Sequence, residues 1–439
     1  MKKPLALIFS SFVFSIGALA QEGDATKPTI ELIKYELKSP PAIGKFNGAT
    51  IREGGISGMH FIPGSQDEFY LLTDRGPNAD ANSANAGKET ILFPFPDYAP
   101  KIFRARAKGN TLQISKTLPL KKFDGATANG IPKPFGLGNS GEAAWIDTSK
   151  TPAAADPWGI DSESLAIDAK GDFWVGDEYG PSIWHVDGKT GQAIKRYIPF
   201  GAAAHEIAID SVFAKRRPNR GFEGIACTPN GKVYAILQAP LNNPDKAAGE
   251  TSRLHRILEI DPSTNAMRML VYEHEAPTAN IKDKDWSVGD MAAVNDDELL
   301  VIEHAMKNDE NVKKIFRIEL SEATPITRED FNGKTLEQLE TAENCRTHGI
   351  VPVVKKLYID LMANGWDPSH RKPEGLTIVN DNTICVINDN DYGIDSPAAN
   401  GLPVSTGTKT VLYQFTGSRC MALYYVPPGG RVIRRPTAK

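Results

Sequence analysis

No two cysteines in this chain form a CxxC pair, and no serine sits in a GxSxG setting. The first absence argues against a zinc ribbon or a dithiol redox motif, and the second leaves a serine-esterase mechanism without its nucleophile turn. Neither sign of charge dominates. The formal net charge of -4 over 439 residues gives no support for nucleic acid or a membrane surface as partner. Beyond the N-terminus, no apolar run is long enough to span a bilayer. The rest of the composition, 41% hydrophobic and 24% charged, is that of a soluble globular protein with ample length for a large core.

The N-terminus reads MKKPLALIFSSFVFSIGALA-QE. Lys2 and Lys3 form a positive region, an apolar run follows, and Ala18-Leu19-Ala20 is a small-residue cleavage site. This predicts a signal peptide over residues 1–20 and an exported mature chain, 21–439, in the periplasm or secreted. Four cysteines remain: Cys227, Cys345, Cys385 and Cys420. Export permits disulfides among them, in three pairings that the sequence does not rank. Cys227 and Cys385 lie inside strand-like segments and read equally well as buried thiols.

The organising stretch is DSESLAIDAKGDFWVGDEYGPSIWHVD, residues 161–187. It reads as a strand, an AKGD turn, a second strand ending in Asp177 and Glu178, and a third strand after a Gly-Pro break. The pattern recurs in ISGMHFIPGSQDEFYLLTD from Ile56, EGIACTPNGKVYAILQ from Glu223, DMAAVNDDELLVIEH from Asp290 and EGLTIVNDNTICVIND from Glu374. Third strands follow each of them, and AIKRYIPF and MRMLVYEH read as fourth strands. Four-stranded units with almost no helix predict an all-β chain folded as a β-propeller, because one blade cannot bury both of its faces alone. Five units are clear, and IELIKYEL near the N-terminus is read as completing a further one with the C-terminal strands. The expectation is about six blades, with seven as the alternative. A partly helical insertion is expected around 330–366, helical in LEQLETAE (336–343) and VVKKLYIDLMANG (353–365), and a long loop over 78–100.

Two columns of the repeats carry chemistry. The first strands begin with Ser57, Glu163, Glu223, Asp290 and Glu374. The second strands end with Asp74, Glu178, Gln238, His304 and Asp389. In a propeller both columns converge on one mouth of the central channel. Like charges that close are costly unless a cation or basic groups compensate. Hard oxygen ligands suit Ca²⁺ best, with Mg²⁺ or Mn²⁺ behind it. The expected metal ligands are Glu163, Glu223, Asp290, Glu374 and Asp389. The plainer alternative is that Glu163, Glu223 and Glu374 bond backbone N–H groups of neighbouring blades.

Basic residues stand beside the acidic ones. Arg75, Arg220 and Lys372, with Tyr179, are expected to hold an anionic substrate, against a reading of the arginines as solvated ion pairs. His304, Asp74 and Glu178 are the candidate catalytic groups, with His304 as general acid or base. DRGPN at Asp74 and DEYGP at Asp177 read as tight loops that fix these side chains.

The segments DRGPN (74–78), DSESLAI (161–167), GDEYGP (176–181), NRGFEGIA (219–226), RLHRILEID (253–261) and EGLTI…INDND (374–391) resemble the phytase-like family, labelled "esterase-like activity of phytase". The resemblance runs from about Gly55 to the C-terminus. It implies an exported β-propeller with phytase or esterase activity. The function expected is metal-dependent hydrolysis of a small phosphate ester. A propeller that binds a ligand or protein without catalysis is one alternative. A calcium-dependent lactonase or carboxylic-ester hydrolase is another, with Ser162, Ser164 and Asn219 as its candidates.

Overall fold

The computed structural model describes residues 29–80, 90–134, 140–147, 149–200, 203–395, 404–417 and 426–428, with the single residues 136 and 138. The expected signal peptide and Cys420 lie outside them. Five four-stranded antiparallel units form the body, the first and last joined edge to edge in one eight-stranded sheet and the second extended by a parallel strand, Glu206–Ala208. Blade 1 comprises Ile56–Phe61, Glu68–Thr73, Lys101–Lys108 and Thr111–Pro119. Blade 2 comprises Ser162–Ile167, Phe173–Asp177, Ser182–Val186 and Ala193–Ile198. Blade 3 is Phe222–Cys227, Val233–Leu237, Leu254–Asp261 and Ala266–Glu273. Blade 4 is Trp286–Ala293, Glu298–Lys307, Glu310–Glu319 and Val354–Asp360. Blade 5 is Lys372–Asn380, Thr383–Asp389, Val411–Gly417 and, last, the N-terminal Ile30–Leu37.

The five first strands pack side by side in a closed ring, each touching the next, and Lys372–Asn380 returns to Ile56–Phe61. The propeller is therefore as expected, but among the described residues it has five blades rather than about six. The strand IELIKYEL joins the C-terminal end of the chain as expected, but it completes no further blade. It pairs antiparallel with Val411–Gly417, Leu32 opposite Phe415, and so supplies the outermost strand of the last blade. Its end also runs beside Thr111 and Leu112 of blade 1, which ties the first and last blades together.

Each blade forms because short β-rich runs alternate with turns of polar side chains. In blade 2, Asp168 Oδ1 accepts the backbone N–H groups of Lys170 and Asp172, while Gly171 takes the left-handed backbone (φ 85°) that the turn needs. The faces between blades are filled by large apolar groups: Trp174, Tyr197 and Ile183 of blade 2 join Ile225, Leu237 and Leu258 of blade 3 in one cluster. Burying one such side chain contributes roughly 1.5–3 kcal/mol.

Residues 330–366 are only partly as expected. Glu337–Leu339 and Ala342–Thr347 are helical turns, but Val354–Asp360, expected to be helical, is the fourth strand of blade 4. Leu336, Leu339, Cys345 and Ile350 close the outside of the cluster between blades 2 and 3. Buried Arg256 anchors them through Glu337, at 2.9 Å. The loop over 78–100 supplies two short strands, Ala79–Asp80 and Thr90–Leu92, to a small sheet with Ala143–Trp145. Cys227, Cys345 and Cys385 are buried free thiols. No helix among the described residues is long and apolar enough to cross a membrane.

Candidate active site at the channel mouth

Every first strand carries an irregularity at the same height. Ser162 pairs with Asp177 and Ser164 with Gly176, so Glu163 is an extra residue with no partner. Phe222 pairs with Leu237 and Gly224 with Ile236, leaving Glu223 in the same state. Shifts fall between Pro373 and Leu376 in blade 5, and between Ile56 and Gly58 in blade 1. A β-bulge turns the side chain of its extra residue out of the regular alternation. Here the bulges face the channel mouth, and Glu163, Glu223 and Glu374 line a cavity of about 170 Å³ there.

The ends of the second strands supply the other wall. Thr73, Asp177, Leu237, Glu303 and Asn388 each pair with the residue just before the bulge of the first strand, so Asp74, Glu178, Gln238, His304 and Asp389 follow in equivalent places. The first four line the cavity. The loops hold them: Asp74 Oδ1 accepts the Gly76 N–H at 2.7 Å, and Asp177 Oδ1 accepts the Tyr179 N–H at 3.0 Å.

The electrostatics are dominated by carboxylates kept from water. Burial pushes Glu178 up to about 8, with Asp161 adding to it. Burial likewise lifts Glu374 to about 7 against the pull of Lys372. Glu163 and Glu223 are held well above the usual carboxylate range, by burial first and then by neighbouring carboxylates. His304 goes the other way. Burial, with Lys313, Lys372 and Arg220 nearby, lowers it to about 3, so its ring is neutral at physiological pH.

Hydrogen bonding leaves this wall unfinished. Gln238 Nε2 donates to Glu223 Oε1 at 2.6 Å. The remaining oxygens, Gln238 Oε1, Glu223 Oε2, Glu374 Oε2 and Asn219 Oδ1, have no hydrogen-bond partner, and neither does His304 Nε2. Buried acceptors without donors cost free energy, and a cation satisfies several at once. The donor set therefore fits a hard divalent ion. Two triads have ligand atoms within 4.8 Å of one another: Asp161, Glu163 and Glu178, and Glu163, Glu223 and Glu374.

Several expected site residues stand elsewhere. Asp290 is not in the cavity. Met291 pairs with Val301 as Ile225 pairs with Ala235, so the residue equivalent to Glu223 is Gly289, and Asp290 was aligned one position out. Its carboxylate accepts the backbone N–H groups of Met291 at 2.8 Å, Leu376 at 3.0 Å and Ile225 at 3.3 Å. The blade-to-blade backbone role considered for the three glutamates thus belongs to Asp290; among the described residues no backbone N–H bonds to Glu163, Glu223 or Glu374. Asp389 lies behind the wall, accepting from Lys372 Nζ at 2.9 Å and the Asp391 N–H at 2.7 Å. Tyr179 is fully buried. Its hydroxyl donates to the Gly130 carbonyl at 2.8 Å and accepts from Arg75 at 3.2 Å, so it does not reach the cavity.

Of the three basic residues, Arg75 is committed to protein partners, Glu142 at 2.9 Å and Asp161 at 3.5 Å. The Arg220 side chain is 41% exposed; it donates to the Asn219 carbonyl at 2.8 Å and meets Glu178 at 3.5 Å. Lys372 is 43% exposed and bonds Asp389 and Asp391. These two cations flank the acidic wall and face solvent. Asp161, Asn78, Ser287 and Asp391 also line the cavity without having been expected there. Asp161 was legible in DSES as a second acid beside Glu163; Asn78 and Asp391 sit in the turns after the second strands, and Ser287 lies on the first strand of blade 4 outside the repeat columns. Ser162 Oγ donates to the Thr73 carbonyl at 2.7 Å and is not free for chemistry.

A family model described as "Phytase-like: Esterase-like activity of phytase" matches residues 51–392. An "Uncharacterized secreted protein" of Arthroderma benhamiae is 29% identical in an alignment of 197 positions that covers 37% of this chain and 37% of that protein. The alignment thus spans little more than a third of that relative's length. Among solved structures, the PQQ-bound aldose sugar dehydrogenase of Streptomyces coelicolor is 9% identical, over 89% of this chain and 100% of that one, with a TM-score of 0.34. A structure from the GH130 family of mannoside phosphorylases is 9% identical, over 87% and 93%, with a TM-score of 0.39. Similarity at that level carries nothing about function.

Proposed function

We propose that this chain, which belongs to the phytase-like family, is an exported hydrolase that uses a divalent cation, Ca²⁺ in first place, to cleave a small phosphate ester at the channel mouth. The observation that carries the reading is the set of buried oxygens without donors, Glu223 Oε2, Glu374 Oε2 and Gln238 Oε1, in one cavity. The N-terminal leader pattern supports export, as does the name of the secreted relative.

Glu163, Glu223 and Glu374 would hold the ion, with Gln238 as a neutral ligand. A bound divalent cation supplies Lewis-acid polarisation and offsets charge on the ester. The chain's own groups do the rest. Arg220 and Lys372 orient the anionic group from the rim, as forks and point charges do for phosphate. His304, neutral and with a free Nε2, accepts a proton as general base. The same ring returns that proton to the leaving oxygen, and Glu178 stays part of the acidic wall. Asp74 keeps the first loop in place beside them.

Asn219 favours a second reading. Its Oδ1 lacks a partner in the cavity, and an amide oxygen among acidic ligands also suits a calcium-dependent lactonase or carboxylic-ester hydrolase. One experiment separates the readings. Purified protein is analysed for metal, then screened against phosphate monoesters, lactones and carboxylic esters with and without EDTA. EDTA-sensitive phosphate release supports the proposal. EDTA-sensitive lactone opening alone selects the second reading. Hydrolysis of neither class, with or without metal, leaves a propeller that only binds.

A further inference from the structure

The two acidic triads at the mouth share Glu163 and are otherwise different. Within each, ligand atoms lie within 4.8 Å of one another, the span across one ion bonded at about 2.3–2.6 Å. The five carboxylates together do not form one such set; they form two. A carboxylate has two oxygens and can serve two ions. We infer that the mouth holds a pair of divalent cations bridged by Glu163, one ligated by Asp161 and Glu178 and the other by Glu223, Glu374 and Gln238. The inference rests on the metal-dependent reading above and deepens it.

Charge supports a pair over a single ion. The cavity is lined by seven carboxylates and three basic side chains, four negative charges in excess when all are ionised. One divalent cation halves that excess and a second cancels it. Gln238 gives independent support. It is only 8% exposed, its amide N–H is spent on Glu223, and its Oε1 lines the cavity with no donor. A proton shared between two glutamates would leave that amide oxygen unsatisfied, whereas a cation on the Glu223 side satisfies it. The geometry also explains why the bulge in blade 2 matters most: it puts the one shared side chain between both groups. Two adjacent ions suit a phosphate ester, because one can bind each of two oxygens at the reacting phosphorus.

The test is a calorimetric titration of the metal-stripped mature chain with CaCl₂ alone. Two Ca²⁺ per chain are expected. Glu178→Gln and Glu374→Gln should each retain one, and Glu163→Gln should weaken both by tenfold or more. Circular dichroism checks that each variant is folded. If Glu163→Gln does not fold, the wild type loaded with Mn²⁺ decides by electron paramagnetic resonance, where an exchange-coupled pair is expected. One Ca²⁺ per chain at saturation, or an isolated Mn²⁺ spectrum, overturns the pair and leaves the single-ion reading of the function standing. Binding of no ion overturns both.

Discussion

Asp290 in the first strand of blade 4 accepts the backbone N–H of Leu376, in the first strand of blade 5, at 3.0 Å. The same carboxylate reaches Ile225 of blade 3 at 3.3 Å. One side chain therefore joins three consecutive inner strands below the mouth. Asp290→Ala would strand these buried donors, each at about 1–3 kcal/mol. The variant should lose roughly 2–5 kcal/mol of stability by denaturant unfolding yet bind Ca²⁺ with wild-type stoichiometry. Loss of an ion with unchanged stability would return Asp290 to the metal site.

The raised carboxyl groups set a pH dependence for the metal-free protein. Glu178 binds its proton near 8 in the folded state against an ordinary 4.5, and Glu374 near 7. The folded state then holds protons that the unfolded state has released, so stability falls as pH rises from about 4.5 toward 8. Melts of the metal-stripped protein should show a lower Tm at pH 8.5 than at pH 5.5. Saturating Ca²⁺ should remove most of that difference, since a bound cation favours the ionised forms. A Tm that rises with pH in EDTA would contradict the electrostatics described.

Metal binding should stabilise the fold by linkage, by about 2.7 kcal/mol at a hundredfold excess over Kd for each ion. Glu163→Gln combined with Glu374→Gln removes the shared ligand and a second one. The double variant should show no Ca²⁺-dependent rise in Tm by scanning calorimetry. It should also lose any EDTA-sensitive hydrolysis. A preserved Ca²⁺ shift would place the ion elsewhere.

Arg75 and Arg220 are neighbours of the same cavity with opposite expected behaviour. Arg75 is buried between Glu142 and Asp161. Arg75→Ala leaves two buried carboxylates unpaired and should cost roughly 3–5 kcal/mol of stability. Arg220 is half-exposed and only loosely paired. Arg220→Ala should leave Tm and Ca²⁺ stoichiometry unchanged. It should lower kcat/KM for phosphate esters by roughly tenfold to a hundredfold, the worth of one charge-assisted hydrogen bond. Equal effects on a neutral lactone and an anionic ester would remove Arg220 from phosphate recognition.

The sequence by itself determined the propeller and most of its mouth. Strand alternation, turn residues and residue type are local, and they repeat. Asp74, Glu178, Gln238, His304 and Asp389 hold equivalent places in the five blades, as the repeats align them, and so do Glu163, Glu223 and Glu374; only His304 lies within its strand and not at its end. Tertiary structure decided what depends on pairing partners. The bulges that aim the glutamates arise from register between strands, which no single strand encodes; a one-residue error there put Asp290 in place of Gly289. Ile30–Leu37 pairs with the C-terminal end of the chain as expected, but with Val411–Gly417 as the outer strand of blade 5, so it adds no further blade; which blade it closes has no local mark. Val354–Asp360 read as helical because Val354, Leu357 and Leu361 are spaced as on a helix face. It is instead an edge strand, with Val354 and Leu357 left exposed, held by its ladder to Glu310–Glu319. Tyr179 and Arg75 carried the right chemistry for a substrate. Only packing showed that each was already spent on the protein, because a side chain's free valence depends on every neighbour that folding brings to it.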